Sequence, residues 1–218
     1  MAILEAVNLK EVKVKNADCS ESSVHSISRG DDIIPYRAFY NKASLVYFSF
    51  PEIITVIGAE AFHNTNLSGA LILPDDVTII GEYAFSSTNI GSVSFGGKLE
   101  SILKYAFGEC SYLSGQLILP DSLLSIRDNA FSNCNFSGRL VLPDGLKSIG
   151  ADAFYHSGNY EGDLIIPETI KKLSNRSFMY CYFPGSLVLN NVTELGSSCF
   201  ANAKFCGELI IPEGVIEI

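Results

Sequence analysis

The sequence is short of most features that announce a chemistry. It has no Trp and only two Met. Its three His, His25, His63 and His156, are scattered, and no G-x-S-x-G, P-loop or H-E-x-x-H pattern occurs. A metal site needs several convergent ligands, and nothing in the spacing supplies them, so neither a metal nor a cofactor is expected. Charged residues make up only 18% of the 218 residues, against 47% hydrophobic, which excludes intrinsic disorder. No run approaches the roughly 18 to 20 apolar residues of a membrane helix, so membrane insertion by this segment is not expected. The start, Met1-Ala2-Ile3-Leu4-Glu5, has no basic segment leading into an apolar core, so a signal peptide is not expected within it. Basic residues are outnumbered, 15 Lys and Arg against 24 Asp and Glu, for a net charge of -9. Such a chain lacks the field that captures phosphate backbones, which argues against nucleic acid as a partner. The six Cys fit no CxxC pattern and are too sparse for a disulfide scaffold.

What the chain has in quantity is Phe, 14 of them, and their placement organises the sequence. A Phe preceded by a small residue recurs at Phe39, Phe62, Phe85, Phe107, Phe131, Phe154, Phe178 and Phe200, in steps of 22 to 24 residues. A second series runs in phase: Phe50-Pro51, Leu73-Pro74, Leu119-Pro120, Leu142-Pro143, Ile166-Pro167 and Ile211-Pro212. Two units replace the Pro, at Phe95-Gly96 and Leu189-Asn190. The unit is G-x-L-x-L-P-[DE]-x-L-x-x-I-x-x-x-A-F followed by small or polar residues.

A unit of about 23 residues is too short to bury a core alone, but copies stacked on one another bury a continuous one. Segments such as Leu71-Ile72-Leu73 and Leu140-Val141-Leu142 follow a Gly, are aliphatic, and stop at Pro, which cannot donate to a ladder; they read as short strands. The Pro-Asp or Pro-Glu after them starts a turn. A second extended piece follows, with pairs such as Val77 and Ile80 or Leu146 and Ile149 facing inward. The Ala-Phe segment then makes a short helical or irregular turn. Successive strands lie parallel, about 4.8 Å apart, and the Phe residues stack into a spine.

The fold class expected is thus an α/β-type repeat solenoid, mostly β, with short parallel strands and about 23 residues per coil. Residues 1 to 30 read as an N-terminal cap with a degenerate coil in which Leu9 to Val14 fits the strand half. Residues 31 to 218 read as the solenoid of about eight coils. It stops in the middle of a unit at Ile218, which implies a longer natural chain.

The pattern L-x-L-P-D-x-L-x-x-I-x-x-x-A-F-x-x-C resembles the BspA-type (Treponema-type) leucine-rich repeats. Residues Ser137 to Phe154 match one unit throughout, and the resemblance covers roughly residues 33 to 218. It implies a right-handed leucine-rich-repeat array. It also implies a cell-surface or secreted protein of adhesion type that binds other proteins, among them host extracellular-matrix or cell-surface proteins. The departures from the pattern at Phe95-Gly96-Gly97, Leu189-Asn190-Asn191, Ser177 and Cys199 imply local bends without loss of the fold.

Function in such an array lies in the outward positions, because packing fixes the inward ones. One outward strand column is aliphatic at six of eight places: Ile72, Ile118, Val141, Ile165, Val188 and Ile210, with Ser49 and Ser94 at the others. If exposed, it forms an apolar stripe of the kind that marks a partner site; the other reading is strand propensity, with a loop covering it. The neighbouring column, with Gln116, Arg139 and Asp163, is polar and variable. The expected partner-binding residues are therefore Ile72, Gln116, Ile118, Arg139, Val141, Asp163, Ile165 and Val188. The column after Pro is acidic at six of eight places: Glu52, Asp75, Asp121, Asp144, Glu168 and Glu213. One carboxylate per coil gives too few ligands in one place for Ca²⁺, and these residues read as turn formers in solvent. Cys110, Cys134 and Cys181 share a column with Thr65, Thr88, Ser157 and Ala203, which reads as a small, buried position holding free thiols; a Cys110–Cys134 disulfide is the alternative. The sequence thus points to a non-enzymatic binding module, with a rigid spacer presenting another domain as the competing reading.

Overall fold

The computed structural model describes residues 14–16 and 32–215. It is a stack of about eight coils of two short strands each, with a third strand, Tyr182–Phe183 and Lys204–Phe205, in the last two, and no helix occurs among the described residues. The first strand of a coil is the segment that ends before the Pro, for example Ser68–Ile72, Ser114–Ile118 and Asn135–Val141. The second is a two-residue strand such as Val56–Ile57, Ile79–Ile80 or Ser125–Ile126. Six second strands, from Ile33–Ile34 to Ser148–Ile149, form one parallel sheet in strict register, with Ile34, Ile57, Ile80, Ile102, Ile126 and Ile149 side by side. These Ile are buried, as are Val77, Leu123 and Leu146, so the inward pairs take the places expected of them.

The Phe spine is unbroken. Ring centroids from Phe39 to Phe200 are 4.9 to 5.6 Å apart between consecutive coils, and every pair is stacked. A second, shorter aromatic row runs beside it, Tyr160 on Phe183 on Phe205, at 5.0 and 5.4 Å. Sequence reasoning did not separate this row from the aliphatic core.

The Ala-Phe segment is neither helical nor irregular. In each of the eight coils the residue two before the Phe and the residue two after it lie at positive φ, between 48° and 62°. Most carry full side chains, among them Arg37, Tyr83, Tyr105, Asp152 and His156. The N–H groups of the Phe and of these two flanking residues donate to carbonyls of the next coil, as in Arg37 to Ala59, Phe39 to Ala61 and Asn41 to His63. The N–H groups between them close turns inside the coil, as in Ala38 to Pro35 and Tyr40 to Arg37. Each left-handed residue costs roughly 1 kcal/mol. The ladder of inter-coil hydrogen bonds offsets that cost by giving these N–H donors carbonyl acceptors on the next coil.

The two halves of a coil differ in regularity. From the residue before Pro to the next Phe the interval is twelve residues in the first six cases, Phe50 to Phe62 through Ile166 to Phe178. From Phe to the next strand end it varies, from ten (Phe85 to Phe95) to twelve (Phe107 to Leu119). The irregularities fall in this second half. A bulge lies between Gly69 and Ala70 and another between Ser137 and Val141. The first-strand ladder is interrupted in three places, between Leu45–Phe48 and Ser68–Ile72, between Asn89–Ser94 and Ser114–Ile118, and between Asn135–Val141 and Leu164–Ile165, and only the second adjoins a sequence departure, Phe95-Gly96-Gly97. No such break accompanies Leu189-Asn190, where Leu164–Ile165, Leu187–Val188 and Leu209–Ile210 form one sheet. Asn190 stands in for the Pro with φ 44° and donates its side-chain amide to the Ile166 carbonyl at 2.8 Å.

Of the expected cap, only residues 14–16 are described. Val14–Asn16 pairs antiparallel with Leu45–Phe48, where a repeat coil pairs parallel, and so covers the open edge of that strand. The strand half expected at residues 9 to 14 otherwise lies outside the described residues, as does the end of the last unit beyond residue 215.

Candidate functional site

The first strands alternate by the period of two that any strand imposes. Leu71, Leu117, Leu140, Leu164 and Leu187 point into the core and are buried. Their C-terminal neighbours point out: Ile72 is 71% exposed, Ile118 69%, Val141 59% and Ile165 53%. Val188 is half-buried and Ile210 exposed. Among the described residues no loop covers the stripe. Cross-strand pairing joins Ile118 to Val141 and Ile165 to Val188 to Ile210, while Ile72 pairs with Ser94. The polar Ser94 therefore separates Ile72 from the rest.

The polar column beside it is exposed as well. The Gln116 amide donates to the Arg139 carbonyl at 3.4 Å. Asp163 accepts the backbone N–H of Ser186 at 2.7 Å through Oδ1. The Arg139 guanidinium lies over Gly162, where an added Cβ would stand 3.1 Å from Nη2; Gly162 sits at φ +70°, a conformation glycine adopts without strain. Among the described residues Arg139 makes no ion pair.

The turn after each Pro is closed by an N–H donated back to the Pro carbonyl, as in Val77 to Pro74, Leu123 to Pro120, Leu146 to Pro143 and Ile170 to Pro167. This holds the acidic residue after Pro at the edge of the strand face, and all six of these carboxylates are in solvent. No group of three His, Cys, Asp or Glu among the described residues is placed to hold a metal ion.

Strand face and turn edge meet in two grooves. One, of about 600 Å³, has Val141 and Ile165 in its floor, Arg139 and Asp163 on one side, and Asp144, Glu168 and Asn190 toward the turns. The other, of about 660 Å³, joins Tyr47 and Ile72 to Glu52 and Asp75. The first groove thus brings together four of the expected residues, Arg139, Val141, Asp163 and Ile165. The second takes in Ile72. Gln116, Ile118 and Val188 lie on the same face outside both. Sequence reasoning had read the acidic column as turn chemistry alone and missed that it forms a wall of these grooves. The signal was its phase, three residues after the outward aliphatic and directly past the Pro that ends the strand.

The Cys column is structural. Cys110, Cys134, Cys181 and Cys199 are buried free thiols. Cys110, Cys134 and Cys181 each donate to the Phe carbonyl of the preceding coil, at 3.0, 3.3 and 2.8 Å. Thr65 and Thr88 in the same column donate instead to the Phe carbonyl of their own coil, at 3.0 and 2.8 Å. Burial pushes the thiols of Cys110, Cys181 and Cys199 up to about 11 and raises Cys134 as well, so none is a nucleophile near neutrality.

Residues 32–137 and 115–218 match the BspA type Leucine rich repeat region, in 6 copies. Among solved structures, a leucine-rich repeat protein from Bacteroides ovatus superposes with a TM-score of 0.61 at 25% identity, over 74% of this chain and 42% of its own. The leucine-rich repeat protein of T. pallidum superposes with a TM-score of 0.47 at 23% identity, over 72% of this chain and 67% of its own. The chain thus spans less than half the length of the Bacteroides protein. No curated protein sequence matches it.

Proposed function

The chain belongs to the BspA-type leucine-rich repeat family, and from that premise we propose that it is a non-enzymatic protein-binding module that works through its strand face. Leucine-rich repeat arrays are generally protein-interaction modules and generally non-enzymatic, and a solenoid presents an extended surface suited to that task. The observation that carries the reading is the exposed aliphatic stripe. Four β-branched side chains, Ile72, Ile118, Val141 and Ile165, more than half open to water, lie on one face that no other described residue covers, and exposed apolar patches mark interaction sites. The family resemblance supports a finer reading of the same module as an adhesion-type protein, secreted or at the cell surface, with host extracellular-matrix or cell-surface proteins as its partners.

The test is solid-phase binding to a panel of purified extracellular-matrix and cell-surface proteins, comparing wild type with Ile118→Thr/Val141→Thr/Ile165→Thr. Wild type binds at least one member, and the triple variant, equally stable, loses that binding. A panel with no bound member overturns the adhesion reading; equal binding by the variant overturns the face. The competing reading, a rigid spacer with no ligand of its own, draws on the unbroken Phe spine and requires that the stripe variant change nothing.

A further inference from the structure

The charge of this chain is not spread evenly over its surface. The strand-face columns and the turn column hold eight carboxylates, the six after Pro together with Asp163 and Glu208, against one guanidinium, Arg139. Their net of -7 is most of the -9 of the whole chain. The next turn position adds Asp76 and Lys98, which pair with each other and leave the balance unchanged.

In the groove floored by Val141 and Ile165, Asp144 and Glu168 stand on adjacent coils, at the spacing of about 5 Å between neighbouring strands, and among the described residues neither forms an ion pair. Like charges facing each other across neighbouring strands are unfavourable, and a cation laid between them relieves that repulsion. The floor beside them is aliphatic and exposed. The groove at Ile72 repeats the arrangement, with Glu52 and Asp75 as its wall.

We infer that the occupant of the Val141–Ile165 groove is an extended segment of a partner protein in which aliphatic and basic side chains alternate. This rests on the strand face being the binding surface and names the chemistry that the surface takes. The groove reaches across three coils, about 10 Å, the length of three or four extended residues. Alternation places aliphatic side chains on Val141 and Ile165, and the long stems of the Lys or Arg between them let the charged heads reach back to Asp144 and Glu168 at the turn edge. An acidic segment, a nucleic acid or an anionic lipid surface meets repulsion from the same wall.

The probe is a fluorescently labelled, end-blocked hexapeptide alternating lysine and valine, titrated onto the full chain by fluorescence anisotropy. Two control peptides alternate lysine with serine and glutamate with valine. The lysine–valine peptide binds, its affinity falls at least about fivefold in 0.5 M NaCl because the charges are screened, and Asp144→Asn/Glu168→Gln lowers it by a similar factor. The lysine–serine peptide binds at least fivefold more weakly, and the glutamate–valine peptide does not bind. Equal binding of lysine–serine reduces the effect to bulk charge and overturns the inference, as does binding of glutamate–valine. If Val141→Thr/Ile165→Thr abolishes binding while Asp144→Asn/Glu168→Gln does not, the strand-face reading stands and only the basic occupant falls. If neither pair of substitutions matters, both readings fall. All four side chains are exposed, and unchanged thermal unfolding of the variants shows that binding alone was altered.

Discussion

Phe107 is the most demanding test of the stacked core. It is fully buried in the middle of the array. Its ring stacks on Phe85 at 5.3 Å and on Phe131 at 5.6 Å, and meets the edge of Phe95 at 5.8 Å. Truncation to Ala removes the side chain from a rigid site and leaves a cavity, which costs about 3 to 5 kcal/mol. Phe107→Leu keeps most of the apolar volume but loses two stacked pairs, each worth about 0.5 to 1.5 kcal/mol beyond area, for a cost of about 1 to 3 kcal/mol. Phe200 has one stacked neighbour and is only partly buried, so Phe200→Ala costs about half as much as Phe107→Ala. Because coils contact only their neighbours, the damage at Phe107 uncouples the two halves of the array. Urea unfolding followed by far-UV circular dichroism and by tyrosine fluorescence, which is clean in a chain with 10 Tyr and no Trp, shows a broadened or split transition for Phe107→Ala and a single one for Phe200→Ala. Equal costs at the two positions, or a Phe107→Leu variant within about 0.5 kcal/mol of wild type, would refute the view that stacking between coils carries the cooperativity.

The buried thiols make stability fall at alkaline pH. A thiol held up to about 11 in the fold ionises near its ordinary value once unfolded, so stability is intact below about 9 and declines as pH rises toward 11, by about 1.4 kcal/mol per pH unit for each such group. Cys110→Thr/Cys181→Thr, which copies the residue at Thr88, flattens that limb of a urea-midpoint-against-pH curve; an unchanged slope would mean the thiols are not the cause. In a Cys19→Ser variant, thiol titration at pH 8 finds one prompt group, Cys206, and four that react only on unfolding. Gly150→Ala drives a Cβ to 2.4 Å from the Asp128 backbone nitrogen and lowers the thermal midpoint sharply, whereas Gly97→Ala enters open space and does not; similar effects at both would contradict the close approach of coils at Gly150.

Most of the fold was legible because packing writes itself into spacing. A Phe that must stack on the Phe of the next coil returns at a fixed period, and a Pro that ends a strand keeps phase with it. The stripe was legible for the same reason, since strand alternation puts Val141 opposite in direction to Leu140. The left-handed residues were not legible. Tyr83, Tyr105, Asp152 and Arg176 occupy positions where Gly or Asn would have been a signal, and inter-coil hydrogen bonds hold them there in spite of their side chains. The grooves were only half legible: both walls were visible as columns, but their convergence depends on how the turn after Pro folds back beside the strand.

The eight residues from the inward residue after the turn to the Phe, the same from Ile54–Phe62 to Val192–Phe200, and the variable remainder of each coil give the array a rigid gauge and an elastic one. The stretch from Phe to the next strand end changes length from coil to coil and carries the register shifts at Gly69 and Ser137, and the Phe beyond it still lands on the spine. One residue fewer in the turn after the strand end, between Leu189 and Val192, likewise leaves Phe200 stacked on Phe178, whereas a residue added between an inward pair such as Leu123 and Ile126 would turn the second strand over and bring Ile126 to the surface. Length can therefore be edited everywhere except from the inward pair to the Phe, and the tolerant stretches are the two that flank the strand face where a partner would be met.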